Sequence, residues 1–97
     1  MEIVKNMEGT TLKVQLIGRL DTNTSPALDE SLGQESGFTD VDFDFEKLDY
    51  LSSAGIRLLF TCRKKLGGAE HVVVRNANEV IREIFRVTGF ERQITLK

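Results

Sequence analysis

The stretch Leu48-Asp49-Tyr50-Leu51-Ser52-Ser53-Ala54-Gly55-Ile56-Arg57 carries the chain from one periodicity into another. Upstream of it, Val41, Phe43 and Phe45 alternate with Asp42, Asp44 and Glu46, the period-two pattern of a half-buried strand. Downstream the apolar residues recur at helical spacing. Four small residues, Ser52 to Gly55, occupy the junction, so a second backbone or an active site can approach it closely. The start of the following helix also offers free N–H groups to a phosphate.

Working outward, Met1 to Asn6 and Thr11 to Ile17 read as two strands joined near Glu8-Gly9-Thr10, which has the glycine a tight hairpin often needs. After Gly18-Arg19-Leu20-Asp21, the run Thr22-Asn23-Thr24-Ser25-Pro26 places a hydroxyl before proline, the pattern of an N-cap and first helical residue. Leu28 and Leu32 give that helix its apolar stripe, and Asp29 and Glu30 suit its positive end. Beyond the strand at Val41 to Phe45, a helix runs from about Gly55 to Leu66 and closes on Gly67-Gly68. A strand at His71 to Val74 follows. A last helix, from about Glu79 to Val87 with Asn78 as cap and Gly89 as stop, carries Val80, Ile81, Ile84, Phe85 and Val87 as its apolar face. A short strand at Gln93 to Leu96 ends the chain. The order ββαβαβαβ predicts an α/β fold, a mixed central sheet with helices packed mainly on one face, as a single domain over residues 1–97.

Composition removes several classes of function. Thirteen Lys and Arg against fifteen Asp and Glu leave a formal charge of −2, and no basic stripe interleaved with aromatics points to direct DNA binding. Arg63, Lys64 and Lys65 sit at a helix C-terminus, where cations complement the dipole. No apolar run approaches the ~20 residues of a membrane span, so no insertion is expected. The first residues lack the order of a secretory signal. The one cysteine, Cys62, lies among Leu58, Leu59 and Leu66 as a structural thiol, which fits a reducing cytoplasmic setting. His71 has no Cys or His at ligand spacing, so no metal is expected. Nothing in the sequence calls for a cofactor.

Stepping the Gly55 to Leu66 helix at 100° per residue puts Gly55, Leu58, Leu59, Cys62 and Leu66 on the sheet side. Ile56 and Phe60 fall on a flank, near Arg57 and Lys64, and Ser53 projects toward the same side. That flank is either a contact patch beside a hydroxyl or a surface packed against a neighbouring helix. The serines have three possible uses. As a nucleophile, Ser52 or Ser53 needs a base, and only His71 is available; there is no Gly-x-Ser-x-Gly elbow and no phosphate-cradling loop. As a cap, one of them satisfies a helix N–H. As a phosphoacceptor, an exposed serine gains about −1.5 to −2 charge in one step.

Four segments, in this order, resemble the bacterial STAS domain of the anti-sigma factor antagonists, and the likeness runs nearly end to end. They are Gly18 to Thr22, Leu48 to Ile56, Gly67-Gly68, and Ile84-Phe85-Arg86-Val87-Thr88-Gly89. The resemblance implies that Ser53, two places before Gly55, accepts phosphate, with Ser52 as second choice. It implies a partner face made of Asp21, Thr22, Ser52, Ser53, Gly55, Ile56, Arg57 and Phe60. It further implies two partners, an anti-sigma factor of the histidine-kinase-like ATPase type that acts as serine kinase, and a serine phosphatase. The domain itself is then not an enzyme. Ser52 departs from the aspartate of the best-known antagonists, and Ala54 from the Ser or Thr of several. Two other functions stay open at this level: a constitutive STAS scaffold in a transporter or signalling assembly, with Ser53 as a cap, and a small hydrolase pairing Ser53 with His71.

Overall fold

The computed structural model describes residues 1–97 and contains strands β1 (Glu2–Glu8), β2 (Thr11–Leu20), β3 (Asp40–Leu51), β4 (Val72–Arg75) and β5 (Thr95–Leu96). Three helices, α1 (Ser25–Gly33), α2 (Ser53–Leu66) and α3 (Glu79–Thr88), lie between them, with short 3-10 turns at Ala69–His71 and Phe90–Arg92. The sheet order is β1-β2-β3-β4-β5. β1 pairs antiparallel with β2, and every later pair is parallel. Because the strand order follows the chain without reversal, each right-handed crossover passes the same side of the sheet. All three helices therefore share one face, as the ββαβαβαβ pattern predicts.

The core lies between that face and the helices. Leu12, Val14 and Leu16 of β2, Val41, Phe43 and Phe45 of β3, and Val72 and Val74 of β4 meet Leu28, Leu32, Leu58, Leu59, Ile81 and Phe85. The opposite face is polar and open. There Asp42 is still only 7 % exposed, because two cations fold over it: Arg75 Nε donates to both carboxylate oxygens, at 3.0 and 2.9 Å, and Lys13 Nζ to one at 3.3 Å. At the sheet edge β1 has no neighbour beyond it. Its Lys5 reaches across to α1, donating to Ser31 O at 2.9 Å and to Glu35 Oε2 at 2.8 Å.

Several boundaries differ from the sequence expectation, each for a local reason. β2 and β3 run on to Leu20 and Leu51 instead of stopping at Ile17 and Phe45. Register shifts between Gln15 and Ile17 and between Gly18 and Arg19 break the alternation, so buried Leu48 and Leu51 fall three apart, out of the period-two pattern. The cap of α1 is Thr24, not Ser25, and Asp29 and Glu30 lie beyond its first turn. β1 extends to Glu8, α2 begins at Ser53 rather than Gly55, His71 belongs to a 3-10 turn, and β5 has only two residues. On α3 the expected apolar face is too wide. Ile81 and Phe85 are buried, while Val80 and Val87 are 59 % and 75 % exposed, because they stand about 100–120° around the helix from Ile81.

α2 is seated against the strand ends by Gly55, which is buried. A Cβ built there would collide with Leu51 Cδ1 and lie 3.0 Å from Leu20 Cγ. Gly55→Ala should therefore lower stability by about 1–3 kcal/mol despite alanine's better helix propensity, since overpacking outweighs it. Urea denaturation with an unchanged m-value is the measurement, and a neutral or stabilising result would show that α2 has slack against the sheet.

Candidate functional site

The parallel pairing of β2 and β3 brings the residues after Leu20 beside those after Leu51. Ser52 N–H donates to Leu20 O at 2.9 Å, which locks the β2–α1 loop to the start of α2. Ser52 is extended (φ −96°, ψ 177°) and caps α2, its Oγ accepting from Ala54 N–H at 3.2 Å. Ser53, the first residue of the helix, is exposed. The two serines thus divide the roles between them: one hydroxyl is spent on the backbone and its neighbour points to solvent.

Asp21 organises the adjoining loop. Its Oδ1 accepts from Asn23 N–H at 3.0 Å and Thr24 N–H at 3.1 Å, and Oδ2 lies 3.6 Å from Arg19 Nε. Thr24 completes the knot, its Oγ1 accepting from Asp21 N–H at 2.9 Å and donating to Arg19 O at 2.8 Å. Partial burial, the largest single influence on the Asp21 carboxyl, pushes its pKa up. The hydrogen bonds from Thr24 and Asn23, with Arg19, outweigh burial and hold it below the ordinary aspartate value. Arg19 also stacks over the Tyr50 ring at 4.5 Å, so the last residues of β2 and β3 are tied side to side.

Two grooves flank the start of α2. Thr22, Ser25, Pro26 and Asp29 face Ala54, Arg57 and Thr61 across the first. Ser53, Ile56, Arg57 and Phe60 face Thr88, Gly89, Phe90 and Gln93 across the second. Arg57 borders both. The flank pair divides: Ile56 packs partly into the core, whereas Phe60 is 38 % exposed. Of the eight expected partner residues, Ser53, Arg57, Phe60 and Thr22 are exposed, Asp21, Ser52 and Ile56 are half-buried, and Gly55 is buried. Gly55 offers no contact surface of its own and instead positions the serine.

Residues missed by sequence reasoning are Thr24, Tyr50 and the far wall, Thr88 to Gln93. The wall was signalled by Gly89. Its left-handed conformation (φ 74°) ends α3 and turns Phe90 and Gln93 toward Ser53.

The remaining candidates lie elsewhere. His71 Nδ1 is 2.8 Å from Asp40 Oδ1 at the beginning of β3, whereas Ser53 follows its end. The twelve residues of β3 hold its two ends on the order of 30 Å apart, so the Ser53–His71 hydrolase has no geometry. Hydrogen bonds from Thr39 and then His71 hold the Asp40 carboxyl below its usual value. Burial pushes the Cys62 thiol up to about 11, which keeps it protonated and unreactive at neutral pH. No helix is long and apolar enough to cross a membrane.

The STAS domain model matches residues 2–97. The chain belongs to the STAS family. No curated protein matches it in sequence. Among solved structures, an anti-sigma factor antagonist from Mycobacterium paratuberculosis is 22 % identical, with a TM-score of 0.85 over 98 % of this chain and 83 % of that one. The antagonist SpoIIAA in its unphosphorylated form is 18 % identical, with a TM-score of 0.77 over 99 % and 87 %. The Bacillus SpoIIAA in its phosphorylated form is 20 % identical, at 0.68 over 99 % and 91 %. At these identities the likeness is one of fold.

The Asp21 turn has a defined pH dependence. A carboxyl whose pKa is depressed by folding stabilises the native state above its unfolded value and loses that contribution as pH falls through the folded value. Asp21→Asn should therefore be less stable than the parent at about pH 7, with the difference closing as pH drops below the ordinary aspartate value of 3.8. Chemical denaturation across that range checks it, and a pH-independent difference would assign the effect to shape alone.

Proposed function

We propose that this domain is an anti-sigma factor antagonist whose affinity for its partner is set by phosphoryl transfer to Ser53. The observation that carries the reading is the division of labour at the junction, with Ser52 engaged as the helix cap and Ser53 exposed beside a groove that also holds Ile56, Phe60 and Phe90. The described character of the similar folds, antagonists in unphosphorylated and phosphorylated forms, supports it.

Unmodified, the edge made by Thr22, Ser53, Ile56, Arg57 and Phe60 docks on an anti-sigma factor of the histidine-kinase-like ATPase type and frees the sigma factor it held. That partner brings ATP to the same edge. Ser53 Oγ attacks the γ-phosphorus, the new O–P bond forms as the bond to the ADP oxygen breaks, and the hydroxyl proton passes to a base on the partner. A serine phosphatase reverses the change with water, returning the hydroxyl and releasing inorganic phosphate. The setting this requires is the cytoplasm.

Exclusion of the modified form follows from charge. A phosphoryl group adds about −1.5 to −2, next to the Asp21 turn, and burying it in an interface costs both desolvation and like-charge repulsion. Two unit charges ~4 Å apart at an effective dielectric of about 20 interact by around 4 kcal/mol. A loss of about 3 kcal/mol already weakens binding about a hundredfold. The fold need not change, because Ser53 makes no side-chain hydrogen bond that modification would break.

The test pairs mass spectrometry with binding. Incubated with ATP and a histidine-kinase-like ATPase from the same genome, the domain should gain one phosphoryl group. Ser52→Ala should keep that gain and Ser53→Ala should lose it. Ser53→Ala should bind the ATPase, and Ser53→Asp should bind at least about tenfold more weakly. Equal binding by the two variants removes electrostatic exclusion. No phosphoryl gain, together with a stable complex with a transporter subunit, replaces the switch with a scaffold.

A further inference from the structure

Helix α2 holds Arg57, Arg63, Lys64 and Lys65 and no aspartate or glutamate, in a chain with 15 acidic residues against 13 basic ones. None of these four makes an ion pair; Lys5, Lys13, Arg19, Arg75 and Arg86 do, and Lys47, Arg92 and Lys97, also unpaired, lie outside any α-helix. The dipole accounts for the three in the last turn. It does not account for Arg57, which lies in the second turn, away from the carboxyl end. Stepped at 100° per residue, Ser53, Arg57, Phe60 and Lys64 form one line along α2, and all four are exposed. Arg63 and Lys64 flank the Phe60 ring at 5.9 and 5.8 Å, within cation–π range. Arg63 Nε is buried with no hydrogen-bond partner in the chain.

We infer that this stripe is the docking face for an acidic protein surface, one that presents carboxylates to Arg57 and Lys64 around an apolar hollow for Phe60. The inference rests on the reading above and describes the chemistry of the partner that phosphorylates Ser53. Charge complementarity selects it. Unpaired cations on an otherwise acidic domain attract carboxylates and speed encounter, while a desolvated aromatic anchor holds the complex. Extended polyanions fit less well, because the rest of the domain repels them.

Regulation follows from the same line of residues. Ser53 precedes Arg57 by four residues, a rise of about 6 Å. A phosphoryl group of about −1.5 to −2 placed there offsets the charges of Arg57 and Lys64 together. The stripe then changes from doubly positive to nearly neutral, and the attraction to carboxylates is lost along with the room for Ser53.

Calorimetry of the full chain against the ATPase that modifies it, at about 50 mM and about 300 mM salt, tests this. Affinity of the parent should fall at least about tenfold between the two conditions. Arg57→Glu and Lys64→Glu should each cost about tenfold or more at low salt and flatten the salt dependence, as should phosphorylation. Lys47→Glu, on the exposed end of β3, should change nothing. Circular dichroism verifies the helix, with Arg57→Gln and Lys64→Gln as milder substitutes. Tight binding indifferent to salt and to both reversals overturns the stripe and leaves the Ser53 switch standing. No binding by the parent overturns both. Binding of phosphatidylserine vesicles that requires Arg57 and Lys64, with the protein complex unaffected, overturns the protein partner in favour of a membrane.

Discussion

The closeness of α2 to the ends of β2 and β3 governs the rest of the molecule. With only a hydrogen on Cα at Gly55, the helix settles against Leu20 and Leu51, and the backbone before it has one way to enter. Ser52 must be extended, its N–H must meet Leu20 O and its hydroxyl must cap the helix. Ser53 is then turned outward. The outward serine is thus a by-product of packing one glycine, which is why a buried residue with no surface of its own belongs in any description of the site.

The one-sided layering has an electrostatic counterpart. Since sequential right-handed crossovers leave one sheet face bare, that face must be compatible with water, and it carries Lys13, Asp42, Asp44 and Arg75. Lys13 and Arg75 both pair with Asp42, and Asp44 accepts from Asn76. The cations of α2 have no such partners. Charge that is neutralised locally contributes to solubility and register, and charge left uncompensated on one helix is available to another molecule. The contrast between the two faces separates structural ions from those with a use beyond the fold.

Much of the architecture was legible in the sequence where one period dominated. The alternation at Val41 to Phe45, the Asn78 cap and the Gly67 and Gly89 stops each state a local rule that tertiary packing leaves intact. Legibility failed where geometry is set by a neighbour. The bulges in β3 shift its pairing with β2, so Leu48 and Leu51 look irregular until the partner strand is present. Thr24 displaced Ser25 as cap because the Asp21 turn recruits it. Val80 and Val87 are apolar at helical spacing, yet they stand too far around α3 from Ile81 and Phe85 to reach the core. At the site, the serine pair and its helix flank could be read directly. The wall from Thr88 to Gln93 depends on long-range contacts that spacing does not encode.

Strand β1 has a bearing on how such a domain survives at high concentration. Alternate residues of this seven-residue strand turn amides and carbonyls outward to any passing chain, the condition under which sheets accrete into fibrils. Glutamates at both ends of the strand, with Lys5 drawn back toward α1, make a second copy laid alongside a poor match. The margin that ends the sheet also keeps it from growing.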